Sequence, residues 1–174
     1  MKTYTSGITV IGGGIAGIAC ALEVLDRGGS VVLIDRHDRE NMGGLARDSF
    51  GGIFMVDTPV QRRAGIKDSV DLAFSDWKNF AGFEAGDVWP EKWARKFVEE
   101  SREHVYDWLK KRSIDFFPVV HWVERGFDVP GNSLPRFHMV WGTGYGLMET
   151  LKQVLFNHKN KDRLTLLNRH RVDS

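Results

Sequence analysis

Gly12-Gly13-Gly14-Ile15-Ala16-Gly17 has the spacing G-x-G-x-x-G. Glycines at these positions can serve a dinucleotide. Gly12 permits a tight turn, Gly14 lets backbone N–H groups approach a pyrophosphate, and Gly17 lets a helix pack close to a sheet. The phosphates would sit at the helix N-terminus, where unpaired N–H groups and the helix dipole favour negative charge. The pattern alone has little specificity, so the residues after it matter. Asp35 lies 18 residues beyond Gly17. A carboxylate there can accept both hydroxyls of an adenosine ribose and would repel a 2′-phosphate. Arg36 and His37 come next, and either border the adenosine or stand in solvent. A third feature is Gly43-Gly44-Leu45-Ala46-Arg47-Asp48-Ser49-Phe50-Gly51-Gly52, with paired glycines eight residues apart. A domain that binds NAD alone usually runs from the ribose acid straight into its next helix. A long glycine loop suits a backbone that must lie against a large planar group, because a Cβ would hold the ring away.

These residues need a strand, a turn and a helix to position them. Ile8–Ile11 is a β-branched run between Gly7 and Gly12, and reads as a buried strand. Ile15 to Arg27 reads as a helix closed by Gly28-Gly29. Val31–Ile34 is a second continuous apolar run, of the kind found in parallel strands covered on both faces. Together they form a βαβ unit. A glycine-rich loop is expected from His37 to Gly52.

Beyond it the composition changes, and all six tryptophans fall at or after Trp77. A capped amphipathic helix is expected from Asp68 to about Phe80. A longer one should run from Trp89-Pro90 to about Arg112, with Ala94, Phe97, Val98, Ser101, Val105, Trp108 and Leu109 on a packing face. Extended pieces over Phe116–Val123 and Phe137–Trp141 follow. A last helix from about Gly146 to His158 precedes a strand over Leu164–Arg169.

Bulk properties narrow the function. Net charge is +1, from 24 basic and 23 acidic residues, which leaves no electrostatic footprint for nucleic acid or an anionic membrane. The apolar stretch Ile8–Leu25 is broken by four glycines and ends in charge, so neither a membrane span nor a targeting segment is expected. The single cysteine, Cys20, rules out a disulfide within the chain and suits a cytoplasmic protein. Its place in the first helix suggests a small core residue. No Cys/His/Asp cluster has metal-ligand spacing, and no serine sits in a nucleophile elbow.

The Gly43–Gly52 loop resembles the flavin-contacting loop of the fumarate reductase and succinate dehydrogenase flavoprotein superfamily, and of the 3-ketosteroid Δ1-dehydrogenases within it. Ser49 matches a serine of the steroid enzymes. Gly131-Asn132-Ser133-Leu134-Pro135-Arg136-Phe137-His138 and Trp141-Gly142-Thr143-Gly144 resemble a stretch of FAD-binding dehydrogenases in that group. So does Arg169-His170-Arg171-Val172, where the resemblance implies that the Val172 backbone lies against adenine. It also implies cofactor contacts from Ile15, Ala16 and Ala46, beside the glycines and Asp35. Members with covalent flavin carry histidine where this chain has Leu45, so the FAD is expected to be non-covalent. Family members are far longer, so the catalytic residues are expected beyond residue 174. In that fold Ile8–Ile11 would lie beside Val31–Ile34 with its other edge unpaired, a template for self-association.

The reading is an α/β protein with an incomplete Rossmann-type parallel sheet and an inserted aromatic-rich α+β region. Residues 1–53 begin the FAD-binding domain, 54–141 form the insertion, and 142–174 return to the domain. The function expected is that of an FAD-dependent dehydrogenase moving hydride to or from a small organic substrate, with a separate electron partner. An NAD-binding Rossmann protein, or a nucleotide-binding fragment without turnover, are the alternatives. Arg136 and His138 would share a strand face and could form a substrate-binding pair or serve structural hydrogen bonding. His121 and His104 are weaker candidates, the latter at a surface or packing position.

Overall fold

The computed structural model describes residues 3–173, and these divide into two compact units. The first comprises the chain up to Gly51 together with the segment from Gly142 onward, and the second is Gly52–Trp141.

In the first unit β1 (Ile8–Ile11), β2 (Val31–Ile34) and β6 (Leu164–Leu167) form a parallel sheet in the order β1-β2-β6. Helix α1 (Ile15–Asp26) links β1 to β2, and α7 (Thr143–Phe156) leads towards β6. Their buried residues recur at helical spacing: Ile18, Ala21, Leu22 and Leu25 on α1, and Leu147, Met148, Leu151 and Leu155 on α7. Those stripes, with Val31, Val32 and Leu33 of β2, make the core. Strand β2 is covered as its apolar run requires. Strand β1 is not buried, contrary to expectation. It is the edge, and Ile11 is 66% exposed. Cys20 also departs from the sequence reading, because it lies on the exposed face of α1. The stretch between β2 and the second unit is not all loop: a short helix, α2 (Gly44–Arg47), interrupts it.

The second unit opens with β3 (Gly52–Phe54), which pairs antiparallel with β5 (Phe137–Val140). Strand β4 (Phe116–His121) takes the other side of β5, with an irregularity between Phe116 and Val120. Helix α3 (Pro59–Arg63) starts with a capping box. The Thr58 hydroxyl accepts from Gln61 N–H, and the Gln61 side chain accepts from Thr58 N–H. Helix α4 (Val70–Ala81) is capped by Ser69 and stops at Gly82 in the left-handed region. Helix α5 (Val88–Glu100) continues through a π-helical segment, Ser101–Asp107, into α6 (Trp108–Lys110). Nothing in the residue types signals that widening. Val56, Ala73 and Val98 centre the core, with Phe54, Val70, Phe74 and Trp77 packed against it.

No helix of the described residues is long and apolar enough to cross a membrane, and none of their His, Cys, Asp and Glu side chains cluster to hold a metal ion.

Candidate functional site

The turn between β1 and α1 is built by glycine. A Cβ on Gly17 would fall 1.8 Å from the Gly12 carbonyl oxygen, so only glycine lets α1 start this close to β1. Gly14 is the N-cap of α1, and no side chain caps the helix there. Its first-turn N–H groups are therefore left to an external acceptor or water. Ile15 and Ala16 are exposed on that first turn.

Asp35 sits at the end of β2 and is 8% exposed. One carboxylate oxygen accepts from Gly13 N–H at 2.6 Å, and the other from His37 N–H at 2.8 Å. Each oxygen keeps a further lone pair, so the carboxylate can hold the glycine turn and still receive hydroxyl donors. The ladder along β2 runs past β6. Asp35 N–H donates to Leu167 O, and His170 N–H donates to Asp35 O. This carries His170, Arg171 and Val172 alongside the strand ends. They join Ile11, Gly12, Ile34, Asp35 and Arg36 around a cavity of about 330 Å³. Arg36 lines it, whereas the His37 side chain instead accepts from Arg36 Nε. His170 and Arg171 are wall residues that the sequence reading did not assign, although the stretch containing them had been singled out.

The second glycine loop meets the first. Gly44 has φ +59, and a Cβ on it would lie 3.2 Å from the Gly14 Cα. Ser49 closes the turn after α2: its hydroxyl donates to Ala46 O at 2.8 Å and accepts from Gly51 N–H at 3.2 Å. The Ser49 carbonyl in turn accepts from Gly144 N–H at 2.9 Å, which ties the loop to the start of α7. Gly43 is the N-cap of α2, and Gly52 begins β3 in the second unit. Between the paired glycines, Leu45 is 89% exposed and Phe50 stands out as well. Leu45, an apolar side chain this exposed on a tied-down loop, marks a surface suited to an apolar partner. Met42 is fully buried just before this loop, and Lys152 of α7 donates to the Glu40 carbonyl. No local sequence signal picked out either support.

The second unit holds the other candidates, and they are engaged internally. Arg136 is fully buried, with Nε and Nη2 on the Asp68 carboxylate and Nη1 on Asp76 and Asn132. Burial pushes the Asp76 carboxyl up, but the Ser133 hydroxyl and the Arg136 guanidinium outweigh it and hold it below the usual carboxylate range. Burial alone would lower the Arg136 guanidinium, and the two aspartates instead raise it. His138 is also fully buried. Its Nδ1 faces the Arg136 carbonyl at 2.8 Å, so Nδ1 carries the proton and Nε2 accepts from the Thr58 hydroxyl at 2.7 Å. Burial lowers its basicity, and it is held neutral. Arg136 and His138 are thus structural and not a substrate pair. His104 and His121 are exposed.

Fold and site together define a dinucleotide-binding domain. A family model for an FAD binding domain matches residues 8–174. The chain belongs to this family, and FAD is its cofactor. A KsdD-like steroid dehydrogenase of Mycolicibacterium smegmatis is 44% identical over 172 residues, which is 95% of this chain and 30% of that protein. A vinyl phenol reductase of Lactiplantibacillus plantarum is 25% identical over 84% of this chain and 26% of its own length. The chain thus spans about 30% of the length of its more similar curated relatives. Among solved structures, a 3-ketosteroid-Δ4-(5α)-dehydrogenase from Rhodococcus jostii RHA1 matches with TM-score 0.75 at 23% identity, over 98% of this chain and 39% of that one. A flavocytochrome c3 fumarate reductase matches with TM-score 0.77 at 23% identity, over 98% and 28%. At that identity these two matches speak for the fold.

Proposed function

We propose that this chain is the FAD-binding part of a dehydrogenase that moves hydride between its flavin and a steroid-class organic substrate, handing electrons to a separate partner. The observation that carries the reading is the Asp35 carboxylate, which bridges to the glycine turn while lining the cavity at the strand ends. In this reading Gly12, Gly14, Ile15, Ala16 and Gly17 take the pyrophosphate on backbone N–H groups. Asp35 takes the ribose hydroxyls, and Arg36 and Val172 flank the adenosine. Gly43, Gly44, Leu45, Ala46, Ser49, Gly51 and Gly52 lie against the flavin side, where Ser49 acts by holding the turn. Bound FAD supplies the two-electron chemistry, and the residues here position it. Leu45 offers no nucleophile for a covalent link, so the flavin is held non-covalently. The steroid class rests on the name of the 44% identical relative. The lone cysteine suits a reducing compartment, and we place the protein in the cytoplasm.

Denaturing the flavin-loaded protein with acid tests the non-covalent link. All the yellow colour should pass to the supernatant, and flavin left in the pellet would contradict it. A titration with NAD in place of FAD separates the remaining alternative, since the reading expects FAD to bind in preference.

A further inference from the structure

We infer that the second unit holds a binding cavity for a small alkylammonium ion, separate from the nucleotide site. The cavity measures about 280 Å³, near the lower end of small-molecule sites. It is lined by Phe54 of β3, by Asp76, Trp77 and Phe80 of α4, and by Glu124 and Asn132, with no lysine or arginine in its wall. Its charge comes from the network around Arg136. One buried guanidinium there serves two buried carboxylates, Asp68 and Asp76, whose side chains are 0% and 9% exposed. One negative charge is therefore left without a cation, and the neutral His138 does not supply one. Both Asp68 oxygens are taken, by Arg136, the Gln61 amide and Ser69 N–H. Asp76 differs. Its Oδ2 accepts from Ser133 N–H, the Ser133 hydroxyl and Arg136 Nη1, whereas Oδ1 has no donor among the described residues. That oxygen is not sealed in, since no Asp76 atom is both unbonded and shut off from the surface. The uncompensated charge thus has one outlet, and the residue that carries it lines the cavity. Burial works against the ionised form of Asp76, but Ser133 and Arg136 outweigh it, so the group is a carboxylate at neutral pH. A nearly buried carboxylate with one bare oxygen calls for a cation.

The rest of the lining says which kind. Glu124 adds a second carboxylate, held in place by Asn132, which donates its N–H to the Glu124 carbonyl at 2.8 Å and its Nδ2 to Oε2 at 3.1 Å. Phe54, Trp77 and Phe80 form the aromatic part, and Trp77 meets Phe54 edge to face at 5.3 Å. Aromatic faces attract organic cations and shelter an alkyl chain. A metal ion would need more oxygen ligands than two carboxylates give, and the described residues contain no cluster of three metal-ligating side chains. An ammonium head with N–H donors and an apolar tail matches both halves of the wall.

The test is saturation-transfer NMR on the 174-residue chain, with n-butylammonium chloride as the probe and n-butanol as its neutral counterpart. Butylammonium should bind saturably, and butanol about tenfold more weakly or worse. Glu124→Gln, at an exposed side chain, should weaken butylammonium about threefold. Glu103→Gln, at an exposed acid outside the cavity, should leave its affinity unchanged. Asp76→Asn keeps the shape of the side chain and removes its charge, and should weaken binding about tenfold or more. If that variant fails to fold, the two glutamate variants and the butanol comparison decide the matter. Equal binding of butanol, equal loss from both glutamate variants, or unchanged affinity in a folded Asp76→Asn would overturn the proposal. So would tighter binding of Nα-acetyl-lysine methylamide than of butylammonium, because the cavity would then be made for a lysine side chain and not a free amine.

Discussion

The two units treat their polar groups in opposite ways. In the second unit Arg136, Asp68, Asp76, Gln61, Thr58 and His138 close on one another, and the buried network turns inward save at one Asp76 oxygen. In the first, Asp35 is fixed from behind by two backbone N–H groups while it lines a cavity with acceptor capacity to spare, and the start of α1 carries no side-chain cap. Residue type alone does not distinguish the cases. An arginine and a histidine two apart could be a substrate-binding pair until their partners are counted, whereas the aspartate marked out by its offset from the glycines does line a cavity. What separates a binding group from a structural one is whether its hydrogen-bonding capacity is already spent.

The largest effect that should follow from this contrast is on stability. Arg136→Met leaves two buried carboxylates without their cation and should destabilise the chain by about 3–5 kcal/mol, seen as a lower urea midpoint. Nucleotide affinity of the molecules that remain folded should not change. If affinity fell while stability held, Arg136 would belong to a ligand site after all.

The exposed β1 edge sets a second expectation. An apolar edge strand without charge invites pairing with another chain. The isolated chain should therefore self-associate in size-exclusion chromatography, and Thr9→Lys, placing a charge on that edge, should shift it towards monomer. A wild-type chain that elutes cleanly as a monomer would contradict this.

Smallest is the pH response of the buried histidine. Its folded basicity is depressed below the ordinary 6.5. The unfolded chain therefore takes up the proton first as pH falls, and stability drops as pH falls below about 6.5. Above that value the contribution is fully present. His138→Gln should flatten that part of a stability profile measured between neutral pH and pH 5. An unchanged slope would mean that another group is responsible.

The dinucleotide half was legible because its signals are local. Glycine spacing, a strand run on each side and an acid at a fixed offset need only about thirty residues of context. The exposed face of α1 was not legible. Ile15-Ala16-Gly17-Ile18-Ala19-Cys20-Ala21-Leu22 is apolar on every side, so periodicity could not tell that Cys20 faces outward. The run Ile8-Thr9-Val10-Ile11 by itself looks the same at an edge as in a sheet centre, and only the resemblance implied the unpaired edge that β1 has among the described residues. The Arg136 network was hidden because Asp68 and Asp76 lie 68 and 60 residues away in sequence. The resemblance of the loop residues nevertheless pointed to FAD, which the family match bears out.

The central claim is that Asp35 is a ligand-directed carboxylate, and titrating ADP and FAD calorimetrically into wild type and Asp35→Ala tests it most directly. Losing the charge-assisted bonds should weaken both ligands by roughly 1–3 kcal/mol, or about 5- to 150-fold. Equal affinities in the two proteins would show that the nucleotide does not rest on Asp35, and the assignment of the site would fail.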